Sequence, residues 1–186
     1  MRVAAGEAKG KRLRVPRGVH ARPTQDRVRE AIFNALGSRV VDAEVLDLFA
    51  GVGTLGIEAL SRGARRAVFV ELEARTAAAL RTNLQAAGLQ DRAEVWRADA
   101  LRALRQLQQR GDCFDLVFLD PPYRSSWLAR ALRALAESPV LHHEGLVVAE
   151  GARGEPLDGH GLEVVWHRTY GDTSVGFLRR AEGGTR

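Results

Sequence analysis

Sulfur is nearly missing from this chain. Cys113 is its one cysteine, so no internal disulfide can form and a thiolate zinc site has no ligands to draw on. The five histidines show no paired ligand spacing with it, and no metal is expected. Long apolar runs are missing as well: no window approaches the ~18 residues of a membrane span, and the arginine-rich start lacks the apolar stretch of a secretory leader. A cytoplasmic protein with no membrane partner is expected. With no internal repeat, low-complexity linker or heptad seam, solenoids and coiled-coil assemblies are set aside and a monomer is expected. What is there is 45% hydrophobic residues, enough for the core of one α/β domain.

Charge is unevenly placed. Residues 1–37 carry nine Lys or Arg (Arg2, Lys9, Lys11, Arg12, Arg14, Arg17, Arg22, Arg27, Arg29) against three acids, while the rest of the chain carries 19 basic and 20 acidic residues. All of the net +5 therefore resides in the first fifth, where a polyanion such as nucleic acid would be held through its phosphates. Lys9, Lys11, Arg12, Arg14, Arg22 and Arg27 are the candidate contacts. A solvated charged face has the same composition, because sequence does not show whether side chains converge.

Punctuation and periodicity divide the chain. RVAAGEAKGKRLRVP places short β-prone pieces around Gly6 and Gly10 and stops at Pro16, the pattern of a hairpin too small to fold alone. A helix follows, with Thr24 as N-cap, Val28, Ala31, Ile32, Ala35 and Leu36 on one face, and Gly37 as its stop. From Val45 apolar runs alternate with helical segments: VLDLF, a helix near 54–61, AVFVE, a helix near 74–87, AEVWR, a helix near 100–109, FDLVFLD, a helix near 126–136, and LVVAE. This alternation predicts right-handed βαβ units around a parallel sheet with helices on both faces. Runs such as LVFL fit strands buried on both sides. Two further strands, 162–167 and 174–178, flank the turn Tyr170-Gly171-Asp172 and are placed to close the sheet as an antiparallel pair. The expected division is a basic hairpin extension over 1–22, an α/β domain over 23–182 and a disordered tail over 183–186.

After the first strand, DLFAGVGTLGIEAL spaces Gly51, Gly53 and Gly56 as GxGxxG at a strand-to-helix turn. Glycine there permits the turn, lets a ligand approach the backbone and lets the helix pack closely. Glu71 follows Gly51 by 20 positions at the end of AVFVE, where a carboxylate accepts both hydroxyl hydrogens of a ribose. An ordinary turn and a capping acid would give the same residues, but the pair favours an adenosine-containing cofactor. A nicotinamide dinucleotide satisfies both features. Asp47, just upstream of the glycines, tilts the choice toward a sulfonium, because a carboxylate is favourable beside a cation and unfavourable beside a pyrophosphate. Asp99, ending the third strand on the same edge, is placed to accept from an adenine amino group or to cap a turn.

FDLVFLDPPY ends the fourth strand with an acid, two prolines and an aromatic ring, on the rim where open α/β sheets bind ligands. Asp120 offers an acceptor for an exocyclic amino group, and Pro121 a carbonyl on stiffened backbone. Tyr123 offers a face on which a flipped or single-stranded base stacks. Two acceptors on one NH₂ oppose delocalisation of its lone pair and turn the amine into a nucleophile.

DPPY resembles the [D/N/S]-P-P-[Y/F] motif of amino methyltransferases that use S-adenosylmethionine. RPTQDRVREAIFNAL, DLFAGVGTLGIEALSRGA, the helix bearing Asn83-Leu84 and YGDTSVGFL are together similar to the bacterial 16S rRNA guanine-N2 methyltransferases that act on guanine 966 of the small subunit. The family often shows two adjacent glycines where this chain has Ala5-Gly6. The resemblance implies a Rossmann-like seven-stranded methyltransferase sheet, mostly parallel with an antiparallel C-terminal strand, preceded by an RNA-binding hairpin. It implies that Asp47, Phe49, Gly51, Gly53, Glu71, Leu72, Asp99 and Ala100 bind S-adenosylmethionine. Asp120, Pro121, Pro122 and Tyr123 would hold the guanine. Arg22, Pro23, Thr24 and Arg27 would form a lip between donor and RNA, Thr24 counting also with the donor set. The implied partner is 16S rRNA in an assembled or assembling small ribosomal subunit. Deleting residues 1–20 is expected to weaken RNA binding and to spare donor affinity.

The same four residues also serve amino methylation of adenine N6 or of a glutamine side chain. A nicotinamide-dependent oxidoreductase leaves DPPY without a role, and a non-catalytic RNA-binding module leaves both motifs unexplained. Cys113 precedes the fourth strand, is expected to pack as a small apolar residue, and so supplies no nucleophile for carbon methylation. Ordinary packing is expected of Trp96 and Trp127, although Trp127 is close enough to DPPY to border the base pocket, and surface or core roles are expected of the histidines.

Overall fold

The computed structural model describes residues 1–16, 23–157 and 161–181, with side chains in the first helix described from position 26 onward. Arg17, His20, Arg22, His160, the side chains of Pro23 and Thr24, and the 183–186 tail lie outside the described residues.

Seven strands form one sheet: β1 (Glu44–Asp47), β2 (Arg66–Glu71), β3 (Ala93–Arg97), β4 (Phe114–Leu119), β5 (Leu141–Ala152), β6 (Leu162–Tyr170) and β7 (Thr173–Arg180). Their order is β3-β2-β1-β4-β5-β7-β6. β1 to β5 pair in parallel, and β7 runs antiparallel to both β5 and β6. The expected fold is therefore observed, as a Rossmann-like α/β sheet. Strand order reverses between β1 and β4, and a crevice opens at the carboxyl ends of strands where that happens.

Among the described residues, five α-helices cover the sheet: α1 (Pro23–Leu36), α2 (Thr54–Ser61), α3 (Ala74–Ala87), α4 (Ala100–Arg110) and α5 (Trp127–Ala136). Val45, Phe69, Leu116, Phe118 and Val148 point into a core shared with α1, α2 and α3. Leu46, Val68, Val117 and Val147 point the other way, under α4 and α5. Alternation along strands buried on both faces produces these two layers. None of the helices among the described residues is long and apolar enough to cross a membrane.

Local chemistry sets the helix ends. The Glu73 carboxylate accepts from the amides of Arg75 and Thr76 and starts α3, while Asp99 Oδ1 accepts from Arg102 N (3.0 Å) and starts α4. α1 begins at Pro23, so Thr24 stands in its first turn and is not the cap expected. Proline suits a first turn because its missing N–H is an orphan there and its φ is preset.

The N-terminal arm is stitched onto this frame. Arg2 and Arg12 form an antiparallel bridge, and Val3 N–H donates to Lys11 O (3.0 Å). Val3, Ala8 and Leu13 are buried in the α1–α2–α3 core. The buried Glu58 carboxylate accepts from Ala4 N (2.8 Å) and Ala5 N (3.1 Å), and Ser61 Oγ accepts from Ala8 N (3.0 Å). Asn83 holds both sides of Arg14, accepting from its N–H (2.7 Å) and donating to its carbonyl (3.0 Å). The same amide donates to Val52 O (3.0 Å) in the glycine turn.

Candidate active site

The five parallel strands end in a row of acids. Asp47 closes β1 and Glu71 closes β2; Asp99 follows β3, Asp120 follows β4, and Glu150 lies two residues before the end of β5. Asp47, Glu71, Asp99 and Asp120 line one cleft of about 730 Å³. Phe49, Gly51, Leu72, Ala100, Pro121, Pro122 and Tyr123 line it too. Residues expected at the glycine turn and at the DPPY segment are thereby brought to the same side of the sheet.

Gly53 is the exception. It caps α2 at φ 91°, and a Cβ there would meet the Leu80 and Ile57 side chains at 2.3 and 2.8 Å. Its glycine is required by packing and is absent from the cleft wall. Gly56 serves in the same way against the Phe69 ring, 2.2 Å from a Cβ. At Gly51 (φ 54°) nothing stands within 4 Å of where a Cβ would be, so the backbone is open to a ligand.

Glu71 is oriented by two backbone donors, Gly51 N–H to Oε2 and Glu73 N–H to Oε1, each 2.8 Å. One bond per oxygen leaves a lone pair on each toward the cleft, the arrangement a vicinal diol needs. Asp47 is 2% exposed and accepts from Gly56 N (3.0 Å). Its carboxyl is pushed up to about 7, first by burial and then by Asp120 and Glu71, against the Gly56 hydrogen bond. A cation in the cleft would favour its ionised form. Asp99 spends Oδ1 on the α4 cap, which leaves Oδ2 for a cleft ligand.

The Tyr123 ring is fixed from across the sheet, with its hydroxyl 2.9 Å from Thr173 Oγ1 at the start of β7. The Pro122 carbonyl accepts from Ser125 Oγ, which tightens the turn that presents the ring. Trp127, assigned above to ordinary packing, lines the cleft. It meets Phe49 edge-on at 6.1 Å and carries the Arg130 guanidinium 4.4 Å from its ring centroid. Trp96 stays out of the cleft, donating to Glu94 Oε1 (2.6 Å) beneath Arg110.

Several expectations are corrected. Cys113 is exposed because it sits in the turn after α4 and not in β4; partial burial and Asp115 push its thiol up, away from a reactive thiolate. Arg29, counted in the basic excess and not among the candidate contacts, is 4% exposed and paired with Asp26 (3.0 Å) and Glu58 (3.5 Å), so its charge does not face solvent. Lys9, Lys11, Arg12, Arg14 and Arg27 are exposed. Met1 and Val15 line the cleft beside Gly51 and Thr54, so the N-terminal arm contributes to the cleft wall.

Two features escaped sequence reasoning. Glu150 is buried and held well above the ordinary carboxyl range by burial and by Asp120 and Asp47; its place at the end of LVVAE, matching the acids of the other strands, was the available signal. Met1 and Val15 had none. His142, His143 and Glu144 gather at a surface bulge of β5, outside the cleft lining.

Comparison with known proteins places this geometry. Residues 1–179 match the family model described as Conserved hypothetical protein 95. The chain is 39% identical over 158 residues to Ribosomal RNA small subunit methyltransferase D of Haemophilus influenzae, covering 84% of this chain and 81% of that one. It is 38% identical over 150 residues to the protein of the same name from Escherichia coli K12, covering 81% and 74%. The solved structure of Escherichia coli yhhF superposes with a TM-score of 0.86 at 34% identity, covering 97% of each chain.

Proposed function

The chain belongs to the family described as Conserved hypothetical protein 95, with small-subunit rRNA methyltransferases D among its relatives, and from that premise we propose that it methylates the exocyclic N2 of guanine 966 in 16S rRNA. The methyl donor is S-adenosylmethionine, and the substrate is the RNA of an assembled or assembling small ribosomal subunit. The observation that carries the reading is that DPPY and the Gly51 turn face one cleft.

Glu71 takes the donor's ribose hydroxyls, Asp99 and the start of α4 take its adenine, and Asp47 and Gly51 face its charged end. Phe49, Leu72 and Ala100 give apolar walls. When bound, the donor supplies an electrophilic methyl on a sulfonium. Asp120 and the Pro121 carbonyl accept from the guanine amino group, and Tyr123 stacks on the base. The site would align the amino nitrogen in line with that methyl, so that the N–CH₃ bond would form as the S–CH₃ bond breaks with its electron pair left on sulfur, and the amine proton would pass to Asp120 or to water. No covalent enzyme intermediate is required. Lys9, Lys11, Arg12, Arg14, Arg22 and Arg27 contact phosphates, with Arg22, Pro23 and Thr24 at the lip between donor and RNA. Residues 1–22 act as the RNA-binding extension of the 23–182 domain, with Lys9, Lys11, Arg12 and Arg14 exposed.

Labelled methyl transfer to 16S rRNA, to small subunits, to DNA and to protein tests the reading, with the modified nucleotide mapped by primer extension. Transfer confined to guanine 966, and abolished in Asp120→Ala with donor binding retained, is expected. Near-normal turnover in that variant, or labelling of adenine or glutamine instead, would overturn it.

A further inference from the structure

A groove of about 300 Å³ runs between α4 and α5. Leu101, Leu104 and Ala134 form its floor, and Arg105, Arg130 and Arg133 stand along it, with Glu137 at the far end. All three arginines are exposed. The two segments that build this face, 100–110 and 124–137, hold six arginines and one acid; Arg110 is paired with Glu94 and Asp112, and Arg105, Arg130 and Arg133 line the groove. Sequence bookkeeping hides this basic face, because acids elsewhere cancel the sum.

We propose that this groove is a second phosphate-binding surface for the substrate RNA, on the opposite face of the sheet from the N-terminal arm. Three observations converge. The cleft is itself acidic, with Asp47, Glu71, Glu73, Asp99 and Asp120 in its wall. It repels a phosphate backbone, and strands that flank an inserted base must be anchored outside it.

Cations stand on both sides of that acidic mouth. The arm packs on the α1–α2–α3 face, and α4 and α5 cover the other. An RNA strand whose base enters at Tyr123 leaves the cleft in both directions, and each direction meets basic surface.

The groove also adjoins the cleft. Ala100 and Trp127, the first residues of α4 and α5, are in the cleft wall, and Arg130 joins groove to cleft by stacking on Trp127. Arg133 lies roughly 9 Å along the α5 axis from Trp127, within reach of the nucleotides next to the target. Planar guanidinium groups pair with phosphate oxygens in bidentate fashion, which suits arginine to this task. An acidic protein would also complement the charge, but a groove whose Arg130 stacks on Trp127 of the cleft wall favours the strand that carries the base.

This inference rests on the RNA methyltransferase reading, and its test separates the two. Binding of in vitro transcribed 16S rRNA is measured against salt for the parent and for Arg105→Ala/Arg133→Ala, with S-adenosylhomocysteine affinity by calorimetry as the control. The double variant is expected to bind RNA at least tenfold more weakly at low salt, with the slope of log K against log salt shallower by about 0.7 per lost contact. Donor-site affinity stays unchanged, and Arg105→Lys/Arg133→Lys recovers most of the slope. If the double variant fails to fold, Arg105→Glu alone carries the test.

Unchanged RNA affinity and slope in a folded variant, alongside a loss in Lys9→Ala/Lys11→Ala/Arg12→Ala, would overturn the groove and leave the function standing. A defect seen on assembled subunits but not on naked RNA would overturn it in favour of a protein contact. A parent protein that neither binds nor methylates RNA removes both proposals.

Discussion

The Tyr123 hydroxyl and Thr173 Oγ1 meet at 2.9 Å across 50 positions of sequence. Tyr123 follows β4, and Thr173 opens β7 beyond the antiparallel turn. The contact gives the YGDTSVGFL segment a part in the cleft, since its buried threonine sets the plane of the Tyr123 ring in the cleft wall.

Thr173→Val should therefore lower kcat/KM for RNA about fivefold, the loss of one hydrogen bond worth about 1 kcal/mol. Donor affinity should not change. Tyr123→Phe should behave alike, whereas Tyr123→Ala should lose a further ~1–3 kcal/mol of stacking. Equal activity of Thr173→Val and parent in steady-state assays would show that the ring needs no anchor.

The two loop glycines should part company. Gly53→Ala combines a left-handed φ of 91° with collision against Leu80 and Ile57, and should cost about 2–3 kcal/mol in urea unfolding. Gly51→Ala meets open space and should cost about 1 kcal/mol. It should nonetheless weaken donor binding by at least tenfold in calorimetry, because its methyl occupies the ligand's approach. A stable Gly53→Ala protein with poor donor binding would invert this assignment.

Glu58 ties the arm to α2, and the charge of Arg29 is neutralised beside it. Glu58→Ala leaves two backbone donors and a buried guanidinium short of a partner and should cost about 3–5 kcal/mol. Hydrogen exchange at Ala4, Ala5 and Ala8 should accelerate more than exchange in β1. Uniform acceleration across the sheet would mean that the arm has no separate dependence on this carboxylate.

Asp47 carries a pH signature. Its folded-state pKa, about 7, lies above the ordinary 3.8, so its contribution to stability is complete below about pH 4 and is lost as pH rises through about 7. Asp47→Asn should flatten that part of the unfolding profile. A cationic donor favours the ionised carboxylate, so donor affinity should rise between about pH 6 and 8, with proton release detected by calorimetry in buffers of different ionisation heat. Pure affinity loss on raising pH over that range would remove Asp47 from the charged end of the donor.

Much of the frame was legible in the chain. Apolar runs and periodic helices located all seven strands and all five α-helices, because a strand buried on both faces and an amphipathic helix each leave a local pattern. Acids and glycines at strand ends marked the rim, since chain direction alone puts the ends of parallel strands on one edge. Lateral order was not local: that β1 lies beside β4, and β7 between β5 and β6, depends on which edges pair. Thr24 was misplaced as the cap by two residues because proline and threonine both suit a helix start.

The sequence by itself determined the fold class, the glycine turn and the acid–proline–proline–tyrosine tip, since each is written within a dozen neighbouring residues. Only the tertiary structure decided which charges face solvent, and it buried Arg29 beside Glu58 while gathering Arg105, Arg130 and Arg133 along one groove. It also turned Met1 and Val15 into cleft wall. Burial and convergence are properties of residues brought together from distant positions, and composition along a chain carries no record of distances in space.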